Sequence, residues 1–557
     1  MGATASSASP QRHLVFFVYE AWGKHIAVAV RCWEYVTDNS FIIAGHMRSL
    51  CNFAARVVKM RPNILITLFT TPTFYDRVQT ELRRNFTDQD SSLLGHIRTI
   101  ALPRDDTTPL DSSVLLNAFA DAYEKLVNLQ PVRCVKTGTD IESVCSPDAV
   151  LVDFFGRAPI EAVRRTSKKP VKVLFWFACS ATSLFCVCGP ERQGGKGNLR
   201  ARSEEIAKLT GVSVEEAAGQ ITLTGKGSLI RMPGLPPMYD YEVQPQRPIA
   251  PAALLGGVNL RTYDTMAECD GLVFAGPECY EPEAIATLRD WLAESSRPVY
   301  ACGPLIPSGA QAAAFEKLEG SDATKVESFL DAKVASHGKH TVLYISFGTI
   351  FFPMEPEKLA AFLEIAMEKK IPFILNHSSP YIPLPDFVTD KLSSYPDCLV
   401  TKWCPQQLVL SHSATGFFLT HAGHNSVTEA MTEGVPLICW PFILDQATNA
   451  ARISDRLQNG YELFQVRSGP GLQPAYRLGK APEGTLEAFS AEAQQVLSKA
   501  FGEDGQRRRA NAQRLKQRIM QAWGENGSSQ KAIEDFLTSV AGDEAPRGFF
   551  SSLSAWL

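Results

Sequence analysis

The chain has almost no charge imbalance. Across 557 residues, 55 lysines and arginines stand against 59 aspartates and glutamates, a formal net charge of −4. That balance gives no electrostatic footing for nucleic acid or for an anionic membrane surface, so neither is expected as a partner. Among 13 cysteines there is no Cys-x-x-Cys pair, and only Cys186 and Cys188 lie close together. An odd, scattered set of this kind reads as reduced thiols in a cytoplasmic protein. The opening residues, MGATASSASP, lack the apolar core of a signal peptide. They fit the Met-Gly-x-x-x-Ser/Thr myristoylation pattern through Gly2 and Ser6, a short match that arises easily by chance, and a loose leader is the favoured reading. Only Val173–Gly189 approaches membrane length. It falls short of the roughly 20 residues a spanning helix needs, so a buried strand entering a buried helix is expected there. The stretches GGKGN and TGKGS look like nucleotide loops, yet neither fits Gly-x-x-x-x-Gly-Lys-Ser/Thr, which excludes a Walker site.

What is present is alternation. His13–Tyr19, Asn63–Thr71, Asp148–Phe155, Val171–Phe177 and Asp270–Gly276 are apolar runs that read as buried strands. Between them, His46–Met60 places Leu50, Phe53, Ala54, Val57 and Val58 at helical spacing, with Pro62 as the stop. Gly189–Pro251 is richer in Gly, Pro and charge and reads as an irregular insertion with one helix near Ser203–Leu209. Pro304–Lys325 reads as an interdomain connection. The alternation then restarts with strands at His340–Thr349, Ile371–Asn376, Gly416–His421 and Val435–Pro441, and a helix at Pro356–Glu368. Length allows two to four domains, and the pattern predicts two α/β domains, each a doubly wound parallel sheet. A ligand cleft is expected at the strand C-termini.

The segment HAGHNSVTEAMTEGVP (His421–Pro436) concentrates the chemistry. A metal is not expected: His421 and His424 are three apart in a loop, with no cysteine or carboxylate cluster beside them. A strand ending at Thr420, a turn holding Gly423 and a helix starting near Asn425 form a site where free N–H groups and the helix dipole favour a phosphate. The same letters, Ser426 to Glu429, also read as a capping box. On this segment alone the two readings stand level.

The surroundings separate them. From Trp403 to Gln446 the chain carries W-x-P-Q, H-x-x-x-G, T-H-x-G-x-N-S-x-x-E, G-V-P and D-Q, at a spacing that strongly resembles the donor signature of UDP-dependent glycosyltransferases of the plant and fungal small-molecule type (family 1). YISFGT, VYACGPL, MPGLPP and NGSSQKAIEDFL extend the likeness over most of the chain. The resemblance implies the two-domain GT-B fold. It implies an acceptor domain at 1–305, a UDP-sugar domain at 306–510 and C-terminal helices at 511–557 returning to the first domain. By the same resemblance Trp403 stacks on uracil; Gln406 and Glu429 hold the ribose; Gly348, Thr349, His421, Gly423, Asn425 and Ser426 surround the diphosphate; and Asp445 and Gln446 bond the sugar. Gln446 leans towards glucose. His424 is counted with the donor-binding residues and stands where plant members have Trp. No cofactor or metal is implied beyond the UDP-sugar co-substrate, and the acceptor is expected to be a small, apolar, hydroxylated molecule.

Glycosyl transfer to a hydroxyl needs a base, and a neutral histidine oriented by a carboxylate suits it. The family that the chain resembles has this His at a Gly-His pair opening the first helix, supported by an Asp at the end of a later strand, and Asp153 in VLVDFF stands in the matching place. Two histidines compete for the base. His25 lies near the first strand but lacks a preceding Gly and a clear helix, whereas His46 follows Gly45 and opens an amphipathic helix, and is favoured. Removing Lys24–Gly45 makes strand, loop, base and helix continuous. That segment is therefore read as an insertion, with the borders of a retained intron. The expected activity is inverting O-glycosyl transfer from the UDP-sugar to a hydroxyl of the acceptor; the alternative is a UDP-sugar-binding protein crippled by residues 24–45.

Overall fold

The computed structural model describes residues 12–18, 45–105, 112–248, 251–306, 321–348, 353–377, 384–443 and 445–542. The myristoylation motif, His25 and Thr349 lie outside the described residues, as does nearly all of Lys24–Gly45.

Seven short apolar runs form the first sheet: β1 (Arg12–Phe17), β2 (Ile64–Thr70), β3 (Ile97–Ala101), β4 (Ala149–Val152), β5 (Lys172–Phe177), β6 (Gly271–Phe274) and β7 (Val299–Ala301). They are all parallel, in the order β7-β6-β5-β4-β1-β2-β3. The chain runs outward from β1 to β3, then returns to β4 on the other side. The topological switch therefore falls between β1 and β4. Six more strands form the second sheet: β8 (Val342–Ser346), β9 (Phe373–Asn376), β10 (Cys398–Thr401), β11 (Thr415–Thr420), β12 (Leu437–Cys439) and β13 (Gly460–Glu462). Their order, β10-β9-β8-β11-β12-β13, repeats the plan with its switch between β8 and β11. Both faces of each sheet are packed. Leu14, Phe16, Phe53 and Trp176 lie on one side of the first sheet, and Val15, Phe17, Phe119 and Phe175 on the other. Leu343, Phe373 and Trp440 oppose Tyr344, Phe418 and Val427 across the second. Burial on both faces explains why these strands read as unbroken apolar runs. Among the described residues no helix is long and apolar enough to cross a membrane.

Two expectations are corrected. Gly189–Pro251 is not an irregular stretch with one helix. It folds into helices Leu199–Thr210 and Val214–Leu223, which pack with the following helix Ala252–Glu268. Asn198 and Ser213 cap them by accepting the N–H groups of Ala201 and Glu216, both at 3.0 Å. The TGKGS loop cradles a carboxylate of its own: Lys226 and Gly227 donate backbone N–H groups to Asp240 at 2.9 and 2.8 Å. The return to the first domain also comes later than residue 511. Helix Glu503–Ala522 still packs on the second domain through Leu515 and Ile519. Helix Ser528–Ala541 is the one that crosses, setting Ala532, Ile533, Phe536, Leu537 and Val540 against Phe53 and its neighbours. The apolar spacing of both helices is similar, so periodicity alone does not say which sheet each one covers.

Candidate active site

Helix α1 (Gly45–Met60) begins on the β1 side of the first switch point and presents His46 in its first turn. Asp153 follows β4 on the other side of that switch, and its N–H donates to the Phe17 carbonyl at 3.2 Å. The two side chains meet: His46 Nδ1 and Asp153 Oδ2 are 2.9 Å apart. Asp153 is fully buried, and its other oxygen accepts the Phe154 N–H at 2.9 Å. A carboxylate at Nδ1 favours the tautomer with the proton there, leaving the Nε2 lone pair for chemistry. Phe154 packs edge-on against the imidazole, with ring centroids 5.4 Å apart. Burial pulls the His46 pKa down, but the charge and hydrogen bond of Asp153, helped by Cys179, outweigh it and hold the pKa well above 6.5. This pair forms with residues 24–45 in the chain.

The second switch point supplies the opposite wall. Ser346 to Gly348 leave β8, and His421 leaves β11. The His421 ring lies where two glycines make room. A Cβ on Gly348, at φ +75°, would come 2.9 Å from its Cε1, and one on Gly423 would come 2.4 Å from its Nε2. Gly423 is the N-cap of helix α2 (His424–Glu433) and has no side chain to cap it; neither Ser426 nor Glu429 supplies one. The capping-box reading of Ser426 and Glu429 therefore fails. The Glu429 carboxylate turns elsewhere, accepting from Gln406 Nε2 at 3.1 Å, and Gln406 Oε1 accepts from the Tyr344 hydroxyl at 3.3 Å. Trp403 is half-buried, three residues before Gln406. The N–H of His424 donates to Asp445 Oδ2 at 3.1 Å, and Asn449 donates to the same oxygen at 3.0 Å. Gln446 is more committed than its expected sugar contact implies: its Oε1 accepts the N–H groups of Phe442 and Ile443 at 2.8 and 3.1 Å. What remains for a ligand is its amide N–H.

Burial governs the charges of this wall. It lowers the His421 pKa to about 4. It also lowers that of His424 to about 3, with His46 adding to the effect. Both rings are therefore neutral near pH 7. Burial raises Asp445 to about 6, against the hydrogen bonds from Asn449 and His424. Glu429 is raised by burial and held back by Arg48. Among the described residues no group of three or more His, Cys, Asp or Glu side chains is placed to hold a metal ion.

The two walls touch. His424 packs against Phe274 and Tyr280 of the first domain, at centroid distances of 6.1 and 6.2 Å. Both of its ring nitrogens lack a hydrogen-bond partner although the residue is only 5% exposed. Of the residues expected in the site, the structure brings His46 to Asp153, Gln406 to Glu429 and His424 to Asp445, with Thr349 outside the described set. Sequence reasoning missed several others. Arg48, two residues after His46, reaches across to Glu429 at 3.7 Å and also pairs with Glu81 at 3.5 Å. Its position one half-turn beyond the base was the available signal. Arg452 is buried at the same interface, donating to Thr182 Oγ1 at 2.7 Å and pairing with Glu281 at 3.4 Å. Tyr280 donates to Asn449 Oδ1 at 3.2 Å.

Comparison with known proteins agrees with this geometry. Residues 305–472 match the family described as UDP-glucoronosyl and UDP-glucosyl transferase. UDP-glycosyltransferase eriJ of Hericium erinaceus is 30% identical over 522 residues, covering 90% of this chain and 99% of the relative. Anthocyanidin 3-O-glucosyltransferase UFGT of Vitis vinifera is 35% identical over 36% of this chain and 39% of its own length. Among solved structures, a transferase from Siraitia grosvenorii in complex with UDP superposes with a TM-score of 0.64 at 17% identity, covering 95% of this chain and 99% of that one. UGT2 of Phytolacca americana, bound to UDP-2-fluoro-glucose and pterostilbene, superposes with a TM-score of 0.60 at 21% identity, over 95% and 100%.

Proposed function

Because this chain belongs to the UDP-glycosyltransferase family and has its GT-B fold, we propose that it transfers glucose from UDP-glucose to a hydroxyl of a small, apolar acceptor, with inversion at the anomeric carbon. The observation that carries the proposal is the meeting of two switch points: the His46–Asp153 pair on one wall and, on the other, the start of helix α2 behind Gly423, where Asp445 takes only the His424 N–H. His46 Nε2 takes the acceptor proton as the oxygen attacks the anomeric carbon from the face opposite the diphosphate. Asp153 fixes the tautomer and stabilises the imidazolium. The leaving diphosphate gains negative charge beside the free N–H groups of Asn425 and Ser426 and beside His421, which favours its departure. Trp403 offers a flat face to uracil. Gln406 and Glu429 take the ribose hydroxyls, and Asp445 with the Gln446 amide takes the sugar. No metal is required for these roles.

The acceptor class draws support from the plant relatives, whose names specify flavonol and anthocyanidin acceptors. The rival reading, binding without turnover, rested on residues 24–45 displacing the base. The 2.9 Å contact of His46 with Asp153 supports turnover over that reading. The test is incubation with UDP-glucose and a panel of phenols and alcohols, following UDP release and product mass. Glucoside formation that stops with His46→Gln is the expected result. Absence of UDP binding by calorimetry, with no product from any acceptor, would overturn the proposal.

A further inference from the structure

One side chain on the reactive wall has no task in this chemistry. Cys179 follows β5 and precedes Ser180, whose Oγ accepts the Ser183 N–H at 3.2 Å and caps the helix Ala181–Cys188. Its Sγ lies 3.7 Å from His46 Nε2, while Asp153 holds Nδ1 of the same ring at 2.9 Å. The thiol thus sits at the base's lone pair, beside the place an acceptor hydroxyl would take. Cysteine, histidine and aspartate in this order are nucleophile, base and orienting carboxylate, the arrangement that activates a weak nucleophile elsewhere. Cys179 is partly buried and keeps some surface open to solvent. Two other partly buried cysteines are differently engaged: Cys186 faces the Thr182 carbonyl and the Met232 thioether, and Cys398 faces the carbonyls of Leu392 and Tyr395.

A second observation points to a ligand in the same space. His424 is buried with both ring nitrogens unpartnered, and it lies close enough to His46 to respond to its charge. Buried polar atoms are normally satisfied, and two orphans on one ring suit the polar end of a bound molecule.

We propose that Cys179 is a covalent-modification site for soft electrophiles, namely small α,β-unsaturated carbonyl compounds that enter the cleft. The S–H proton passes to His46 Nε2 and sulfur bonds to the β-carbon. The C=C π pair moves to the α-carbon and carbonyl as an enolate, and the proton returns from His46 to the α-carbon. Nothing is oxidised and nothing leaves. The resulting thioether fills the space at Nε2, so one addition silences the base. Burial pushes the thiol pKa up, and His46 draws it back. Reaction therefore depends on the base.

The probe is N-ethylmaleimide at sub-stoichiometric ratio on the full chain, with labelled positions mapped and timed by peptide mass. Cys179 is expected to label at least tenfold faster than Cys145 and Cys398, both also half-buried. His46→Gln and the near-isosteric Asp153→Asn are each expected to slow Cys179 at least tenfold. Unchanged rates at Cys145 and Cys398 in those variants would show that they remain folded. Labelling of Cys179 no faster than those two, or indifferent to both substitutions, would overturn the proposal. The readout is mass, so it stands apart from whether glucose is the donor.

Discussion

Asp153→Asn isolates what the buried carboxylate does for His46. The variant has nearly the same shape, and Asn Oδ1 can still accept the Phe154 N–H that Asp153 accepts at 2.9 Å. Its amide, however, donates towards His46 Nδ1, where the carboxylate accepted at 2.9 Å. The proton then belongs on Nε2, which is the atom that must receive the acceptor's proton. Two losses combine: the wrong tautomer in the ground state, and no negative partner for the imidazolium in the transition state. General-base catalysis contributes about 10²–10⁴-fold. A fall of about 10³ in kcat, about 4 kcal/mol, is therefore expected, with the Km for UDP-glucose little changed because the donor is held by the other wall. The pH profile carries a second signature. In the native chain Asp153 raises the His46 pKa, so the neutral base is depleted as pH falls through that raised value and kcat/KM falls with it. In the variant that acid limb moves to lower pH. Initial rates from pH 5 to 9, with circular dichroism to confirm folding, test both. A kcat within threefold of native with an unmoved acid limb would show that the pair is structural.

Other perturbations have distinct outcomes. Glu429→Ala removes the acceptor for Gln406 and the partner of Arg48, and is expected to weaken UDP binding by about 10- to 100-fold, the value of one or two hydrogen bonds to a charged group, measured by calorimetry. Native UDP affinity should itself decline as pH falls towards the raised Glu429 pKa, because the protonated acid is the poorer acceptor. Gly423→Ala places a methyl group 2.4 Å from the present His421 Nε2 position, so loss of UDP affinity with little change in melting temperature is expected. Arg452→Leu takes the cation from the buried Glu281 carboxylate, which among the described residues keeps the Ala181 N–H and the Thr182 hydroxyl. Breaking such a pair from one side costs about 3–5 kcal/mol, seen as a lower apparent melting temperature and faster unfolding. Deleting residues 24–45 is expected to leave turnover at or above that of the full chain, and a tenfold loss would show that the segment serves catalysis.

The legible parts of this molecule are those written locally. Pairs such as β1 with α1 and β11 with α2 combine an apolar run, a turn residue and a helical period within one short stretch. His46 and Asp153 stood out through the family resemblance: a Gly-His pair opening the first helix and an Asp after a later strand stand where the family has its base and carboxylate. The short strands β3, β10 and β13 escaped notice: IRTIA, CLVT and GYE become strands because a neighbouring edge pairs with them, not through their own pattern. Long-range pairs were equally silent. Arg48 meets Glu429, and Arg452 meets Glu281, across distances in sequence that no periodicity encodes. Cys179 looked like one thiol among many until folding set it beside a base. The capping box misled for the opposite reason, since a valid local motif lost Glu429 to partners arriving from elsewhere.

Helix Ser528–Ala541 closes the first domain with residues that come after the whole second sheet in sequence. On the ribosome the early domain must therefore wait, with the patch around Phe53 and Trp176 open to water, until the second sheet and this helix have emerged. A nascent chain halted after the second sheet would expose that patch, and chaperone capture should persist until helix Ser528–Ala541 docks. That helix thus ties the folding of the first half to the synthesis of the second.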